Sequence, residues 1–540
     1  MVFSATSRSI WGSCARYTTP IAPRPSSETI LYRPICFIHG LRMLPLYHAE
    51  GASALGACTR LGPRYSVGMF WFVPVSLALL TGVLQGADWP QFRGPEGTGI
   101  AQGGPLPTHF GEDTNLVWKT AMPSGHSSPV IAGDKIYLTA FEGDKLLVLA
   151  VARDSGEMLW IREVPRPRRE PFQRTHGPAS PSPVTDGANV YGFFGDFGAI
   201  SYDSDGNERW RHPLGPFINQ NGHGSSPILA DGKLLIVCDQ QVGSYLLALD
   251  AETGERVWKT ERPASTRGYG TAGVFRTPDG EPQVVVPGAY RVSAYSLESG
   301  EELWWVDGFS WQLKSVPLFD GDIVYINGWE IGGDPGQQQQ TLSFPEVLAK
   351  HDKDGDGALS QDEAPEERLK QAHPWSEADL GGDGKLDDRD WYFYAARRAP
   401  VNNLVAIRPR SLRGDITQSG VLWRYTKSLP NTPSPLLYEG TIYLVKDGGI
   451  FSSVDPAKGS ANKVDRLRDA IDKYWASPVV GDGKIYTVSE GCMISAIAPG
   501  AEWEVLATST LDGTCFATPA IVDGRIYVRT LQAMYSFGLQ

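Results

Sequence analysis

Acidic side chains alternate with other residues in the stretch HDKDGDGALSQDE, which begins at His351. Within twelve residues this stretch provides side-chain oxygens from Asp352, Asp354, Asp356, Ser360 and Glu363. Calcium is a hard cation that is bound by about six to eight oxygens, and carboxylates at this spacing suit it. The stretch therefore predicts a calcium-binding loop. The alternative is a solvated acidic loop without metal, because aspartate and glycine also favour turns.

In its length and the order of its residues, this loop resembles the calcium loop of EF-hand proteins. The resemblance implies that the three aspartates are the first ligands and that Gly357 allows the sharp turn. Ala358 would offer its carbonyl oxygen, and Ser360 would lie near the metal directly or through water. Glu363 would complete the shell with two oxygens.

A second loop in the same frame follows in the sequence DLGGDGKLDDRD, residues 379–390. Its candidate ligands are Asp379, Asp383, the carbonyl of Lys385, Asp387 and Asp390. Gly381 occupies the third position, where a carboxylate is expected, and a shorter aspartate replaces the closing glutamate. The sequence predicts weak binding here or a structural partner for the first loop. A loop that binds no metal is the alternative.

The rest of the chain repeats a strand, a D-G-type turn and a second strand, as in SSPVIAGDKIYL, SSPILADGKLLIV and ATPAIVDGRIYVR, with eight such starts in all. This pattern is a hairpin signal. A glycine precedes a tryptophan by four positions at Gly156/Trp160, Gly206/Trp210, Gly254/Trp258 and Gly300/Trp304. Four strands per unit, at a spacing of about 40 to 50 residues, predict an all-β fold. We expect an eight-bladed β-propeller of four-stranded antiparallel blades, with tryptophans packed between neighbouring blades.

The last repeat stops after two or three strands, and the sequence TNLVWKTAM, with Trp118, forms an additional strand before the first repeat. We expect this strand to complete the eighth blade, so that no edge is left open. The acidic loops fall between DIVYINGW and NNLVAIRP, the second and third strands of the fifth blade. A small α-helical EF-hand pair is therefore predicted as an insert in blade five. The predicted parts are an N-terminal segment 88–107, propeller segments 108–335 and 401–540, and the insert 336–400.

The first 87 residues are predicted to lie outside the mature fold. Residues 1–68 show no clean periodicity and are interpreted as an N-terminal extension without structure. Residues 69–87 are interpreted as a signal peptide, because their apolar stretch is short for a membrane helix and ends in Gly86 and Ala87. A membrane anchor is the alternative. The main hypothesis is an exported protein, periplasmic or extracellular, with no integral membrane span in the mature chain.

Charge and cysteine content narrow the function classes. The chain has 49 basic and 61 acidic residues. The first 87 residues carry seven of the basic and two of the acidic residues, so the remainder has a net charge of −17. Such a surface disfavours nucleic acid, whose binding depends on neutralising phosphates. Three cysteines remain after residue 87, Cys238, Cys492 and Cys515, so any disulfide leaves one thiol over.

The glycine-to-tryptophan repeats resemble those of the pyrroloquinoline-quinone-type repeat propellers. This family includes quinoprotein alcohol dehydrogenases and a propeller lipoprotein of outer-membrane protein assembly. The quinoprotein enzymes use an adjacent cysteine pair, a catalytic aspartate and calcium within the channel, and this chain has no adjacent cysteines. No catalytic or quinone-binding residue can be matched to them. The predicted function is a non-catalytic, calcium-binding propeller that binds or scaffolds a protein or glycan; the alternative is a pyrroloquinoline-quinone-dependent oxidoreductase with an atypical site.

The loops that lead into the first strands carry His126, His176, His223, Tyr269, Trp311, Trp475 and Phe516. In an antiparallel blade these loops and the connection between the second and third strands lie on one face. The insert is therefore expected beside the mouth of the central channel, and the ligand is expected on that face. The histidines are candidate metal ligands there. The alternative is that these rings simply seal the channel.

Overall fold

The computed structural model describes residues 88–539, apart from residues 174, 278–279 and 370–373. The predicted N-terminal extension, 1–68, and the predicted signal peptide, 69–87, lie outside the described residues. Within the described part, no helix is long and apolar enough to cross a membrane.

Short strands dominate the described chain. The first seventeen are β1 Leu116–Ala121, β2 Val130–Ala132, β3 Lys135–Glu142, β4 Lys145–Ala152, β5 Met158–Val164, β6 Val184–Thr185, β7 Asn189–Phe194, β8 Gly198–Asp203, β9 Glu208–Pro213, β10 Ile228–Ala230, β11 Lys233–Cys238, β12 Tyr245–Asp250, β13 Arg256–Glu261, β14 Gly273–Phe275, β15 Gln283–Pro287, β16 Arg291–Ser296 and β17 Glu302–Asp307. The next are β18 Leu318–Asp320, β19 Ile323–Gly328, β20 Leu359–Ser360, β21 Lys385–Leu386, β22 Asn403–Ile407, β23 Gly414–Asp415, β24 Val421–Tyr425, β25 Leu436–Tyr438, β26 Thr441–Lys446, β27 Ile450–Asp455, β28 Ser460–Arg466, β29 Val479–Gly481, β30 Lys484–Val488, β31 Met493–Ala498, β32 Glu504–Thr510, β33 Ala520–Val522, β34 Arg525–Arg529 and β35 Ala533–Gly538. The helices are α1 Phe344–His351, α2 Glu366–Leu369 and α3 Asp388–Arg398, with single 3-10 turns at Pro95–Gly97 and Trp375–Glu377.

These strands form eight antiparallel blades of four strands each, which confirms the predicted propeller. Blades one to four are β2–β5, β6–β9, β10–β13 and β14–β17, and blade four is extended by β23, which pairs parallel to β17. Blades five to eight are β18-β19-β22-β24, β25–β28, β29–β32 and β33-β34-β35-β1. Asp231 and Gly232, at the turn between β10 and β11, have φ angles of 46° and 72°. Two such residues in a row are what a tight hairpin turn requires, so the D-G signal has the expected cause.

The eighth blade joins both ends of the propeller, as predicted. Strand β1 pairs antiparallel with β35, from Leu116 opposite Phe537 to Ala121 opposite Ala533. Trp118 on β1 is buried, and its indole Nε1 donates to the carbonyl oxygen of blade one's Arg153 at 2.9 Å. The closing strand therefore also holds the first and last blades together.

Tryptophans lie between neighbouring blades, and each packs on the glycine of the next repeat. The Trp118 indole lies so close to Gly156 that a Cβ there would come within 2.6 Å of the ring, and Gly156 has a φ of +75°. The same contact recurs at Trp160/Gly206, Trp210/Gly254, Trp258/Gly300 and Trp423/Gly459. The repeated glycine is thus required both by its backbone angle and by the neighbouring indole.

Hydroxyl groups join the first strands of successive blades in a ring around the channel. The Ser128 N–H donates to Ser182 Oγ at 2.9 Å, and the Ser182 N–H donates to Ser226 Oγ at 3.0 Å. Equivalent bonds run from Ser226 to Thr271, Val316 to Ser434, Ser434 to Ser477, Ser477 to Thr518 and Thr518 to Ser128. Val316 carries no hydroxyl, so the step from blade four to blade five lacks this bond.

The segment before β1 runs across the end of the channel opposite the mouth. Trp89 exchanges two backbone hydrogen bonds with Ile131 of β2, at 2.9 and 2.8 Å. The Ala101 N–H donates to the carbonyl oxygen of Val480 in β29 of blade seven at 2.8 Å. Both partners belong to innermost strands, so this segment lies across one face of the propeller.

Arg93 secures the middle of this segment. Its guanidinium is fully buried and donates to the carbonyl oxygens of Ser434 at 3.1 Å and Pro435 at 2.8 Å, at the start of blade six. The adjacent Phe92 faces the channel from this end. The segment thus closes the channel on the side away from the mouth.

The connection between β19 and β22 of blade five holds all three helices and its own small core. Leu359 of β20 pairs with Leu386 of β21, and both are buried with Trp391 of α3. The Arg389 guanidinium donates to the Gln241 carbonyl oxygen of blade three at 3.2 Å. The insert therefore packs on the connections of neighbouring blades as well as on its own blade.

Candidate functional site

A cavity of about 580 Å³ opens at the mouth of the channel. Its lining includes six of the seven side chains expected there, namely His126, His176, Tyr269, Trp311, Trp475 and Phe516. Glu377 and Arg397 of the insert also line it, and Phe92 lines it from the closing segment. The insert thus lies beside the mouth, as the strand order predicts.

His223 lies apart from the other six. Its imidazole is buried against Phe217 and Phe193, with ring centroids 4.3 and 5.6 Å away, and its Nδ1 is 3.5 Å from Glu170 Oε2. Burial lowers the pKa of His126 to about 3 and that of His176 to about 4. In the described part of the chain, these histidines do not belong to any group of three possible metal ligands. The structure therefore does not bring the three histidines together as a metal site.

A second cavity of about 630 Å³ adjoins the first, and Trp311, Gln312, Lys314, Arg397 and Asn431 line both. We call the two cavities together the trough. Arg397 forms an ion pair with Glu377 at 2.8 Å and lies over one side of Trp311, 4.4 Å from the ring centroid.

Lys314 has one hydrogen-bond partner among the described residues. Its Nζ donates to Asn431 Oδ1 at 2.9 Å. Burial lowers the pKa of Lys314 to about 8, while Glu330 lies near enough to oppose this shift. Burial raises the pKa of Glu330 to about 7, and its carboxylate accepts from the Trp311 N–H at 2.8 Å.

The first acidic loop brings its three aspartates together. One oxygen from each of Asp352, Asp354 and Asp356 lies within 4.8 Å of the others, and no other such group of three occurs in the described residues. Asp352 also accepts from the N–H groups of Gly355 at 2.7 Å and Gly357 at 3.1 Å. This arrangement gathers negative charge on one side of the loop.

Glu363 closes this loop through hydrogen bonds to its backbone. Its Oε2 accepts from the Ser360 hydroxyl at 2.7 Å and the Ser360 N–H at 3.0 Å, and its Oε1 accepts from the Lys353 N–H at 2.9 Å. The bonds from Ser360, with that from Lys353, lower the pKa of Glu363 to about 2. Ala358 donates its N–H to Asp356 Oδ1 at 2.9 Å.

The second loop repeats part of this pattern. Asp379 accepts from Gly382 at 2.6 Å and Gly384 at 2.8 Å, and Asp383 accepts from the Lys385 N–H at 2.9 Å. The Lys385 ammonium, in contrast, reaches across and forms ion pairs with Asp356 and Asp354 of the first loop. The sequence assigned Lys385 only a carbonyl, so this side-chain contact is new.

The end of the second loop forms the N-terminal cap of α3. Asp387 caps this helix by accepting from the Asp390 N–H at 2.8 Å. Asp390 is buried and accepts from the Leu380 N–H at 3.0 Å. Burial, with the nearby Asp387 carboxylate, raises the pKa of Asp390 to about 6.

The residues of the trough do not fit a calcium and quinone pair. The carboxylates among its described lining residues are Glu377, which is paired with Arg397, and Glu330. The guanidinium groups of Arg397 and Arg267 both lie over Trp311, 4.4 and 5.0 Å from its ring centroid, so cations already occupy the ring where a quinone would stack. The disulfide joins Cys492 and Cys515, which are 23 residues apart, whereas a pair of neighbouring cysteines was expected of such enzymes; Cys238 is buried and free.

The repeats match a known family over part of the chain. A sequence profile described as "Outer membrane protein assembly factor BamB" matches residues 102–268 and 242–344. The outer membrane protein assembly factor BamB of Alkalilimnicola ehrlichii is 30% identical over 140 residues, which are 26% of this chain and 33% of that protein. The chain is thus matched to about a third of the length of this relative.

Solved structures share the fold. A europium-containing methanol dehydrogenase superposes with a TM-score of 0.51 at 10% identity, over 84% of this chain and 98% of that chain. The quinohemoprotein alcohol dehydrogenase from Comamonas testosteroni gives 0.50 at 13% identity, over 84% of this chain and 81% of that chain. At such identities the similarity shows the propeller fold alone.

Proposed function

We propose that this chain is an exported, non-catalytic propeller that binds a protein partner at the mouth of its channel. The observation that carries the proposal is the trough itself, where aromatic rings and side-chain amides of the propeller meet the insert. The name of the matched relative describes a factor that assembles other proteins, which supports a protein rather than a glycan as the ligand.

Export to the periplasm is part of the proposal. The disulfide between Cys492 and Cys515 supports it, because disulfides persist mainly in oxidising compartments. Calcium binding at the first acidic loop is also part of it, supported by the three gathered aspartates and the paired strands that join the two loops. In this EF-hand interpretation the ion would order the insert and so fix one wall of the trough.

The test is capture of the partner by the full mature chain in calcium-containing buffer, with bound proteins identified by mass spectrometry. Trp475→Ser changes a ring that lines the mouth, and Leu506→Ser changes an exposed residue on the outer strand β32. We expect the first variant to lose the partner and the second to retain it. Equal capture by both variants would place the interaction elsewhere.

The oxidoreductase hypothesis is tested separately. The purified protein is incubated with pyrroloquinoline quinone and calcium, desalted, and examined for quinone absorbance and for alcohol-dependent dye reduction. Retained quinone together with turnover would replace the binding role by an enzymatic one.

A further inference from the structure

Lys314 is one of three charged groups of the trough that have no ion pair among the described residues. The others are Arg398 and Glu330, and the Glu330 carboxylate lies near enough to Lys314 to oppose the lowering of its pKa. Arg397 is paired with Glu377. Lys314 bonds only the neutral Asn431 Oδ1 and has no carboxylate within ion-pair distance among the described residues. An ammonium group has three N–H donors, so two remain for another acceptor.

Burial makes an anionic partner favourable for this ammonium. A charge removed from water is costly unless it is paired and hydrogen-bonded. The lowered pKa of Lys314 reflects this cost. A cationic group that faces a cavity attracts an anion that can reach it.

The shape and lining of the trough favour an extended ligand. The two cavities lie side by side and share Trp311, Gln312 and Lys314 in their walls. Amide side chains line both, namely Gln173, Gln220, Asn221, Gln312 and Asn431 in the first and Gln312, Gln337, Gln339 and Asn431 in the second. Amides both donate and accept hydrogen bonds, as a peptide backbone does.

We propose that the trough binds an extended peptide segment of the protein partner and that a carboxylate of this peptide pairs with Lys314. This inference rests on the proposed function and names the chemistry that its site recognises. The carboxylate comes either from a chain terminus or from an aspartate or glutamate side chain. A charge-assisted pair of this kind is stronger than a neutral hydrogen bond.

The experiment uses two random heptapeptide pools, one with free C-termini and one amidated, passed over the immobilised full mature chain with calcium. Retained peptides are identified by mass spectrometry. We expect more peptide to be retained from the first pool than from the amidated pool if the terminus binds, and enrichment of peptides with aspartate or glutamate in both pools if a side chain binds. Retention of neutral amidated peptides at the same level, or no enrichment over bare resin, overturns the proposal.

Variants at Lys314 connect the enrichment to this residue. Lys314→Met should weaken binding of an enriched peptide by about tenfold or more, the size expected for one charge-assisted bond. Lys314→Arg should restore most of it, and Lys458→Met, a change at an exposed lysine of blade six, should leave it unchanged. Thermal melting confirms that each variant is folded. Unchanged peptide affinity in folded Lys314→Met contradicts the inference.

Benzoate serves as a small carboxylate probe in calorimetry. Binding of benzoate that depends on Lys314, without enrichment of any peptide, would identify a small acid as the ligand and overturn the peptide proposal. The protein-binding function is judged independently. Loss of the captured partner in Trp475→Ser but not in Lys314→Met would leave that function standing and reject the carboxylate contact.

Discussion

Glu363 and Asp390 hold the closing positions of the two acidic loops but differ in what they can give a cation. Glu363 holds the first loop through both oxygens, whereas Asp390 is shorter and accepts from the Leu380 N–H. We predict that Glu363→Gln weakens calcium binding by at least about tenfold and that Asp390→Asn has much less effect, since the first loop should dominate. Calorimetry on the full chain measures this. Absence of calcium binding by the wild type at millimolar concentration would refute the metal interpretation.

Lys385 should oppose calcium at the first loop. Its ammonium is paired with Asp354 and Asp356, and an incoming cation must take its place. Partly exposed pairs contribute about 0.2–1 kcal/mol, so Lys385→Met should tighten calcium binding by a factor between about 1.4 and 5. Lys353→Met is the matched control, because that ammonium donates to the Asp362 carbonyl oxygen instead. Equal affinities in both variants would show that Lys385 does not compete.

At the scale of elements, the packing of one blade on the next depends on single glycines. Gly156 and Gly133 both have positive φ, but a Cβ at Gly156 would collide with Trp118, whereas the space around Gly133 is open. Both alanine variants should lose about 1–2 kcal/mol to the backbone angle. Gly156→Ala should lose about 1–3 kcal/mol more through overpacking. Thermal unfolding of the two variants compares them directly, and equal losses would contradict the packing argument.

The strands could be predicted because hairpins and repeats are formed by residues that are close in the sequence. The D-G turns and the glycine-to-tryptophan spacing predicted the blades, and the strand order placed the insert at the mouth. The partner of each indole was less visible, because Trp118 packs on the glycine of the following repeat. The hydroxyl ring was missed, although a serine or threonine before a recurring proline was its signal.

For the whole molecule, closure depends on β1. We predict that deleting residues 114–122 destabilises the entire propeller, because blade eight loses its outer strand and blade one loses its contact with Trp118. Loss of a large buried aromatic side chain alone costs about 3–5 kcal/mol. Differential scanning calorimetry should show a single transition at a clearly lower temperature. An unchanged melting temperature would mean that closure adds little to stability.

The contacts that the sequence could not predict are those between distant parts of the chain. Arg93 binds carbonyl oxygens at Ser434 and Pro435, and nothing local in WPQFRGPEGTG indicates that destination. No local sequence pattern marks Lys314 as a site residue either, because its position depends on Asn431 and on the walls of the trough. For His223 the local sequence was misleading. Its position before a first strand predicted a place at the mouth, but its imidazole packs against Phe217 in the core.

The segment around Arg93 closes one end of the channel. This closure limits the route by which any molecule can enter or leave the trough. Because the opposite end is closed, a ligand must both enter and leave the channel at the mouth, where the insert lies. Glu377 and Arg397 of the insert line the cavity, so the order of the insert should influence how long an occupant stays. If calcium orders the insert, as proposed above, its addition should slow the dissociation of an occupant.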